Sequence, residues 1–334
     1  MTIRERQERD EDARLSPYAA LSSRSVGRAH PISGCDLRTC YQRDRDRIIH
    51  CKSFRRLKYK TQVFLTPMGD HYRTRLTHTL EVSQVARTLA RSLRLNEDLT
   101  EAAALGHDLG HTPFGHIGES TLNRLLPGGF RHNEQSLRVA ERLENDGQGL
   151  NLCRETLDGI LNHSGQHEPK TLEGWCVRRA DRIAYINHDI DDAIRGGILK
   201  PFELPRRCLS VLGETHGERI DTMIRDIVAT STDQPFVRMS EEVREASDEL
   251  RAFLFEYVYH DEWRKKEEAR CDYILAALYE HYLAHPEQLP AEYLEINFTE
   301  GAERAVCDFI ACMTDRYAID QFSEIFVPGA FARR

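Results

Sequence analysis

Apolar side chains recur at helical spacing along most of this chain, and that periodicity is what most limits its fold. In residues 80–93, Val82, Val85, Leu89 and Leu93 fall on one stripe of a helix. Strand-like alternation is nearly absent, and its best candidate, residues 61–65, is short. The pattern therefore predicts an all-α protein.

Capping residues, glycines and prolines bound the other periodic segments. Asn96 or Asp98 is the predicted N-cap of a helix that stops at Gly110, and Pro113 is predicted to open a short helix. The remaining predicted helices are residues 133–143, 152–162, 172–195, 240–259, 261–283 and 301–317. Breaks at residues 196–205 and 231–235 are interpreted as separating a core from a C-terminal helical region.

Composition excludes several classes of protein. A highly charged N-terminus and the absence of a long apolar run argue against a signal peptide or a membrane span. Nine cysteines without a CxxC pair fit reduced thiols better than a disulfide framework or a cysteine zinc site. The net charge of −8 argues against wholesale coating of nucleic acid. We therefore expect a cytoplasmic protein with no membrane partner.

One basic segment stands out in this acidic chain. Residues 38–75 contain eleven Lys and Arg but only three acidic residues, Asp44, Asp46 and Asp70. Such a segment indicates either a local anion site or a solvated helix face.

Ligand-type side chains are densest in residues 107–116, with the sequence HDLGHTPFGH. Adjacent His107 and Asp108 offer one nitrogen and one oxygen ligand to a divalent cation. His78 is spaced to lie on the apolar stripe of its helix and therefore to face inward. Asp181 begins a series of polar residues at helical spacing, which indicates either a solvated face or a metal and sugar site.

The order His78, His107-Asp108 and Asp181 resembles the ligand set of the HD superfamily. Longer stretches resemble the dGTPase-like triphosphohydrolases within it, over most of the first 200 residues and a patch near the end. These stretches are RDRDRIIHCKSFRRLKYKTQVF (43–64), RTRLTHTLEVSQVAR (73–87), GHDLGHTPFGHIGE (106–119), FRHNEQSLR (130–138), RADRIAYINHDIDDAIRGG (179–197) and MTDRYA (313–318). Little between residues 197 and 312 matches.

The resemblance implies an HD-domain helical fold with additional C-terminal helices, and a role for each matching residue. The implied metal ligands are His78, His107, Asp108 and Asp181. The implied catalytic residues are His111, His116, Glu119 and His132, with His116 near the leaving 5′-oxygen. The implied substrate-binding residues are Gln62, Arg75, Arg182, Tyr185 and Asp189. Candidate phosphate or effector contacts in the basic segment are Arg55, Arg56, Lys58 and Lys60.

The expected layout has three consecutive segments. Residues 1–37 are expected to form a partly disordered N-terminal arm, residues 38–200 the HD-domain catalytic core, and residues 201–334 a C-terminal helical region packed on the core. The implied activity is metal-dependent hydrolysis of dNTPs, dGTP among them, to deoxynucleoside and tripolyphosphate. The expected cofactor is a divalent cation, for which Mg, Mn, Fe, Ni and Zn are all candidates. A homo-oligomer, a dNTP effector and single-stranded DNA are further expected partners.

Two other functions stay open at this level. An HD-type phosphodiesterase or nucleotidase acting on nucleoside monophosphates needs fewer cations around its substrate than a triphosphohydrolase does. A single-stranded nucleic-acid-binding regulator would use aromatic side chains among basic residues, and Tyr41, Phe54 and Tyr59 fit that pattern weakly.

Overall fold

The computed structural model describes residues 1–62, 73–258 and 262–328 of the chain. Within these ranges β-type pairing is confined to two isolated bridges, Arg28 with Cys153 and Thr61 with Thr74. The prediction of an all-α protein is therefore confirmed. Residues 63–65 of the candidate strand lie outside the described ranges.

Sixteen α-helices lie in the described residues. They are α1 (Ile3–Arg14), α2 (Cys40–His50), α3 (Lys52–Arg56), α4 (Arg75–Ser92), α5 (Glu97–Gly106), α6 (His116–Leu125), α7 (His132–Arg138), α8 (Arg154–Leu161), α9 (Leu172–Arg195), α10 (Arg206–Leu212), α11 (His216–Ser231), α12 (Glu241–Tyr257), α13 (Glu262–Ala284), α14 (Ala291–Glu300), α15 (Ala302–Cys312) and α16 (Asp315–Phe326). None of them combines the length and apolar character that crossing a bilayer requires.

The helices belong to two compact units whose segments alternate along the chain. The first unit contains Met1–Cys51, Thr77–His107 and Leu150–Glu262, and the second contains Lys52–Leu76, Asp108–Gly149 and Trp263–Arg334. This division differs from the three consecutive segments expected above. It assigns His107 and Asp108, which are joined by one peptide bond, to different units.

Small residues let the central helices of the first unit approach closely. Helix α5 packs on α2, α8 and α9, and α9 also packs on α11 and α12. A methyl group added at Gly159 of α8 would lie 2.7 Å from the Cβ of Ala103 in α5 and 3.8 Å from the Cα of Gly174 in α9. This close packing fixes the end of α5, where His107 lies, against the helix that carries Asp181.

The N-terminal residues are helical, although the sequence suggested partial disorder. Thr2 and Glu5 form a capping box at the start of α1. Glu11 of α1 accepts hydrogen bonds from the backbone N–H and hydroxyl of Ser22, at 2.7 and 2.8 Å. The backbone N–H of Ser16 donates to the carbonyl of Arg94 at 2.7 Å. These bonds tie α1 and the segment after it to the first unit.

The second unit has its own apolar core, built largely from α6, α13, α14 and α15. Leu122, Leu275, Leu278, Val306 and Ile310 are all buried there. A buried charge cluster lies at its edge, where Asp308 of α15 is fully buried. Its carboxylate accepts hydrogen bonds from Nε of Arg138 at 2.8 Å, from Gln135 at 2.8 Å and from Arg304.

We predict that Asp308→Asn lowers the free energy of unfolding by about 3 kcal/mol, because it leaves two guanidinium groups facing an uncharged amide in a mostly buried site. Chemical denaturation measures this change. Asp320→Asn is the matched control, since Asp320 is exposed and pairs only loosely with Arg316, at 3.7 Å, and it should cost at most about 0.5 kcal/mol. Equal costs for the two variants would contradict a structural role for the buried cluster.

Several predicted helices agree closely with the structure, and three differ from it. Helix α5, which was predicted to stop at Gly110, already ends at Gly106. Helix α9 has the predicted limits of 172–195, and Asn96 caps α5 as expected. The helix predicted over 301–317 is instead α15 and α16, because Met313 is extended and Thr314 caps a new helix. Helix α6 begins at His116 rather than at Pro113, since Phe114 and Gly115 both have φ of 60°.

Candidate metal centre and its surroundings

Three of the four predicted metal ligands converge in the first unit. The Nε2 atom of His78 lies 3.1 Å from Oδ1 of Asp181, and Nε2 of His107 lies 3.9 Å from the same oxygen. The two imidazole rings are 5.6 Å apart and steeply inclined. The Nε2 atoms of His78 and His107 and a carboxylate oxygen of Asp181 therefore lie close together, although the three residues are far apart in the sequence.

The donor set fits a divalent cation. The Nδ1 atom of His107 lies 2.7 Å from the carbonyl of Ala104, which favours the tautomer with its proton on Nδ1 and the lone pair on Nε2. Burial would raise the pKa of the Asp181 carboxyl, but the hydrogen bond with His78 and the charges of His107 and His78 hold it well below its usual range. The Asp181 carboxylate is therefore anionic at neutral pH, as a metal ligand would have to be.

Three further histidines extend this cluster, and no role is predicted for them from the sequence. The ring of His163 lies 4.9 Å from that of His107, and the ring of His188 lies 6.1 Å from that of His78. His216 stacks on His188 at 5.6 Å. His188 is seven residues after Asp181 on α9, a spacing that could have been used to find it. His163 and His216 come from other elements, and no spacing indicates them.

The first unit also carries three predicted substrate-binding residues, all on α9. Arg182 is ion-paired with Asp248 of α12. Tyr185 and Asp189 follow Asp181 at intervals of four and eight residues, so the three lie along one side of the helix. Asp189 is buried, and burial raises the pKa of the half-buried Tyr185 phenol.

The fourth predicted ligand, Asp108, belongs to the second unit, where Arg75 holds it. The Arg75 guanidinium donates to Oδ2 of Asp108 at 3.0 Å and to the carbonyls of Thr61 at 3.2 Å and Gln62 at 3.0 Å. Gly115 lies close to the backbone of Gln62. A Cβ atom on residue 115 would be only 2.8 Å from the carbonyl oxygen of Gln62. The carbonyls of Thr61 and Gln62 thus orient the Arg75 guanidinium, and this guanidinium in turn orients the Asp108 carboxylate.

The four predicted catalytic residues lie together in the second unit. The Nδ1 atom of His132 lies 2.9 and 3.0 Å from the two oxygens of Glu119, and the backbone N–H of His132 donates to Glu119 at 2.9 Å. His111 stacks on His132 at 5.0 Å, and His116 lies 5.8 Å from His111. His111, His116 and Glu119 bring ligand-type atoms within 4.8 Å of one another, close enough for a metal ion.

The surroundings move the pKa values of this cluster in opposite directions. Burial lowers the pKa of His132, but the hydrogen bond to Glu119 and the negative charge of Glu119 outweigh this effect. The pKa of His132 is therefore raised above its ordinary value. Burial and the charge of Arg75 lower the pKa of His111 well below its ordinary value. Burial would raise the pKa of Glu119, but its interactions with His116 and His132 lower it far below its usual range. Such separation is common where side chains transfer protons.

The basic candidates in the second unit have different environments. Arg55 and Lys58 are exposed and Arg56 is half-buried. Lys60 is buried, and its ammonium donates to the carbonyls of His111 and of Ala311, the latter at 2.8 Å. Burial lowers the pKa of Lys60 to about 8. Its hydrogen bonds favour a structural role for Lys60 over the predicted contact with phosphate.

A helical protein with two histidines and an aspartate around one point has the features of an HD domain. The model of the HD domain family matches residues 75–186, and the model of a phosphohydrolase-associated domain matches residues 237–324. The first match contains the four predicted metal ligands and the four predicted catalytic residues described above. The chain is thus assigned to the HD-domain hydrolases.

Close relatives extend this assignment over nearly the whole chain. A deoxyguanosinetriphosphate triphosphohydrolase-like protein of Caldanaerobacter subterraneus subsp. tengcongensis is 59% identical, covering 98% of this chain and 97% of its own. Proteins with the same name from Clostridium perfringens and Geobacter sulfurreducens are 51% and 42% identical, covering 98% and 95% of this chain and 98% and 96% of theirs. The chain therefore belongs to the deoxyguanosinetriphosphate triphosphohydrolase-like family.

Proposed function

We propose that this protein is a divalent-metal-dependent hydrolase that converts dNTPs, dGTP among them, to deoxynucleoside and tripolyphosphate. The observation that carries the proposal is the convergence of His78 and His107 on Asp181 in the first unit. Family membership supports the same activity, since the relatives are named for the hydrolysis of a deoxynucleoside triphosphate.

Asp108 is proposed as the fourth ligand, because it follows His107 directly and because Arg75 donates a hydrogen bond to its carboxylate at 3.0 Å. The cation would be Mg, Mn, Fe, Ni or Zn, all of which accept imidazole and carboxylate ligands. When bound, it would polarise a phosphoryl oxygen or lower the pKa of a bound water. The imidazole and carboxylate donors of the chain fix its position.

Proton transfer is assigned to the second unit. Hydrolysis at the α-phosphorus forms a bond from water oxygen to phosphorus and breaks the bond to the 5′-oxygen. The water loses a proton, and the leaving oxygen must gain one. His132, which Glu119 orients through two hydrogen bonds, is proposed to take or give that proton at its Nε2 atom, and His116 is proposed to lie near the leaving oxygen. His111, stacked on His132, restricts the ring of His132 to one orientation.

Substrate binding is proposed to use guanidinium groups and neighbouring polar side chains. A triphosphate brings about four negative charges, which guanidinium groups and a cation offset. Arg75 and Arg182 are the proposed phosphate contacts, and Gln62, Tyr185 and Asp189 would surround the deoxyribose. A homo-oligomer, a dNTP effector and binding of single-stranded DNA stay predictions from the sequence.

A product screen tests this function. Purified protein is incubated separately with each of four dNTPs and four rNTPs, and we expect it to release deoxynucleoside and tripolyphosphate from the dNTPs. The rate with dNTPs should exceed the rate with any rNTP at least about tenfold, because a pocket that crowds the 2′-position discriminates by at least about 1.4 kcal/mol. Excess chelator should stop the reaction, and added Mn²⁺ should restore it. Release of inorganic phosphate from dNMPs, without tripolyphosphate from dNTPs, would instead identify an HD-type nucleotidase.

A further inference from the structure

Two cysteines that are far apart in the sequence meet in the first unit, at a distance from the roles assigned above. Cys40 is the first residue of α2, and Cys153 is the N-cap of α8. Both side chains line a cavity of about 490 Å³, and all the residues that line it belong to the first unit. Cys40 also packs against the small buried cluster formed by Tyr41, Leu99 and Cys153. Both cysteines are free thiols in the structure.

Buried hydrogen bonds hold residue 153 beside the first turn of α2. Asp44 lies one turn after Cys40, and its fully buried carboxylate accepts from the backbone N–H of Cys153 at 2.8 Å and from the hydroxyl of Thr156 at 2.7 Å. Arg28 is ion-paired with the same carboxylate and donates to the carbonyl of Cys40 at 2.8 Å. Arg28 and Cys153 also form an isolated β-bridge. The two cysteines are therefore kept together by the fold.

The two thiols have different reactivities. The Cys153 thiol donates a hydrogen bond to the sulfur of Cys40, which lowers the pKa of Cys40. The same hydrogen bond, together with burial, raises the pKa of Cys153. Cys40 also lies at the N-terminus of a helix, where the helix dipole favours a thiolate. Because Cys40 is half-buried and Cys153 is fully buried, Cys40 is the sulfur that a molecule in the cavity can reach.

We propose that Cys40 and Cys153 form a redox-active dithiol, which a low-molecular-weight disulfide oxidises to an intramolecular disulfide bond. The Cys40 thiolate attacks one sulfur of the small disulfide and expels a first small thiolate. The sulfur of Cys153 then attacks Sγ of Cys40 and expels the second. The two protein sulfurs lose two electrons, which the small disulfide gains, and the two protein thiol protons pass to the two expelled thiolates. An excess of small thiol reverses both steps.

The bond would join the starts of α2 and α8, the two helices that pack on α5. A disulfide between distant residues restricts the unfolded chain, so the oxidised wild type should melt at least about 3 °C above the reduced protein. Cys40→Ser and Cys153→Ser should show no such difference between oxidising and reducing conditions. Equal melting temperatures of the oxidised and reduced wild type would contradict a cross-link within the folded unit.

Peptide mapping of the full wild-type chain tests the proposal without any variant. The native protein is incubated with glutathione disulfide, its remaining thiols are alkylated, and it is digested without reduction. We expect a linked peptide that contains Cys40 and Cys153, lighter by two hydrogen atoms than its reduced parts and lost on treatment with dithiothreitol. Cys35 lines the same cavity, and hydrogen bonds from the backbone of Leu37 and Arg38 lower its pKa to about 7. Glutathione on Cys35 without the linked peptide would overturn the proposal.

Three variants test the order of the two steps. Cys153→Ser should trap glutathione on Cys40, because the second attack is removed. Cys40→Ser should slow the reaction of Cys153 with glutathione disulfide at least about tenfold relative to the wild type, since the Cys153 sulfur is then reached only by local opening. Cys35→Ser is the matched control, and its linked peptide should form within about twofold of the wild-type rate. Wild-type reactivity of Cys153 in Cys40→Ser, or a link that requires Cys35, would overturn the proposal. Because the readout is a covalent bond, the result is independent of dNTP hydrolysis.

Discussion

The Asp181→Asn variant is expected to hydrolyse dNTPs about 10²- to 10³-fold more slowly than the wild type, because a metal-bound phosphoryl group is worth several kcal/mol of transition-state stabilisation. Asp181 is the carboxylate on which His78 and His107 converge, at 3.1 and 3.9 Å. An amide at this position keeps the shape of the side chain and removes its charge. The measurement is the initial rate of tripolyphosphate release at saturating metal and substrate.

Asp191→Asn is the matched control for this prediction. Asp191 lies on the same helix and pairs with Arg195 at 2.9 Å, on the solvent side. Its replacement should leave the rate within about twofold of the wild-type rate, as is usual for a surface carboxylate. A wild-type rate for Asp181→Asn, or equal loss in the two variants, would remove Asp181 from the proposed metal site.

Replacing His132 by Gln should lower kcat about 10²- to 10⁴-fold, the usual contribution of one general acid or base. Glu119→Gln should lower kcat too, because the amide keeps the hydrogen bond to the backbone N–H of His132 but loses the charge that holds the ring. Glu119 is a positioning residue in this account, so KM should change little in either variant. The double variant should be no slower than the slower single variant, since one group acts through the other.

Steady-state kinetics of the three variants and of His285→Gln check this prediction. His285 is exposed and lies 3.4 Å from Glu287, so its replacement supplies a control for the loss of a histidine beside a glutamate. Multiplicative effects of His132→Gln and Glu119→Gln would contradict the positioning role, because independent groups add their free energies. Near-wild-type kcat in both single variants would remove the pair from the chemistry.

Capping residues and glycines predicted some helix ends well, but not all of them, since α5 was expected to stop at Gly110 and ends at Gly106. Helix α9 was predicted to its limits, because Thr171 caps its start and Gly196 follows its end. The division between α15 and α16 was missed, since Met313 breaks the helix without a glycine or proline. The delayed start of α6 depends on Phe114 with φ of 60°, a conformation that propensity does not predict for phenylalanine.

The candidate site could be predicted from the sequence only in part. The inward orientation of His78 follows from the apolar stripe of its helix, but spacing alone leaves open which distant residues it meets. Resemblance to a family supplied Asp181, and the structure brings it within 3.1 Å of His78. His163 joins the cluster through tertiary packing of α8 on α5 and α9, which no local pattern encodes.

Charge patterning was the least specific of the signals. It grouped Lys60 with Arg55 and Lys58, yet Lys60 is buried against two carbonyls while the other two are exposed. A run of basic residues cannot reveal which member turns inward, because the two carbonyls that accept from Lys60, of His111 and Ala311, are far from it in sequence.

Metal content tests the central claim most directly. Protein loaded with Mn²⁺ and freed of excess by gel filtration should retain about one ion per chain by elemental analysis, because four ligands from one chain form one site. His107→Ala and Asp108→Ala should each retain less than about a tenth of that amount, whereas His285→Gln should retain all of it. Undiminished manganese in His107→Ala and Asp108→Ala would contradict the account, whatever reaction the protein catalyses.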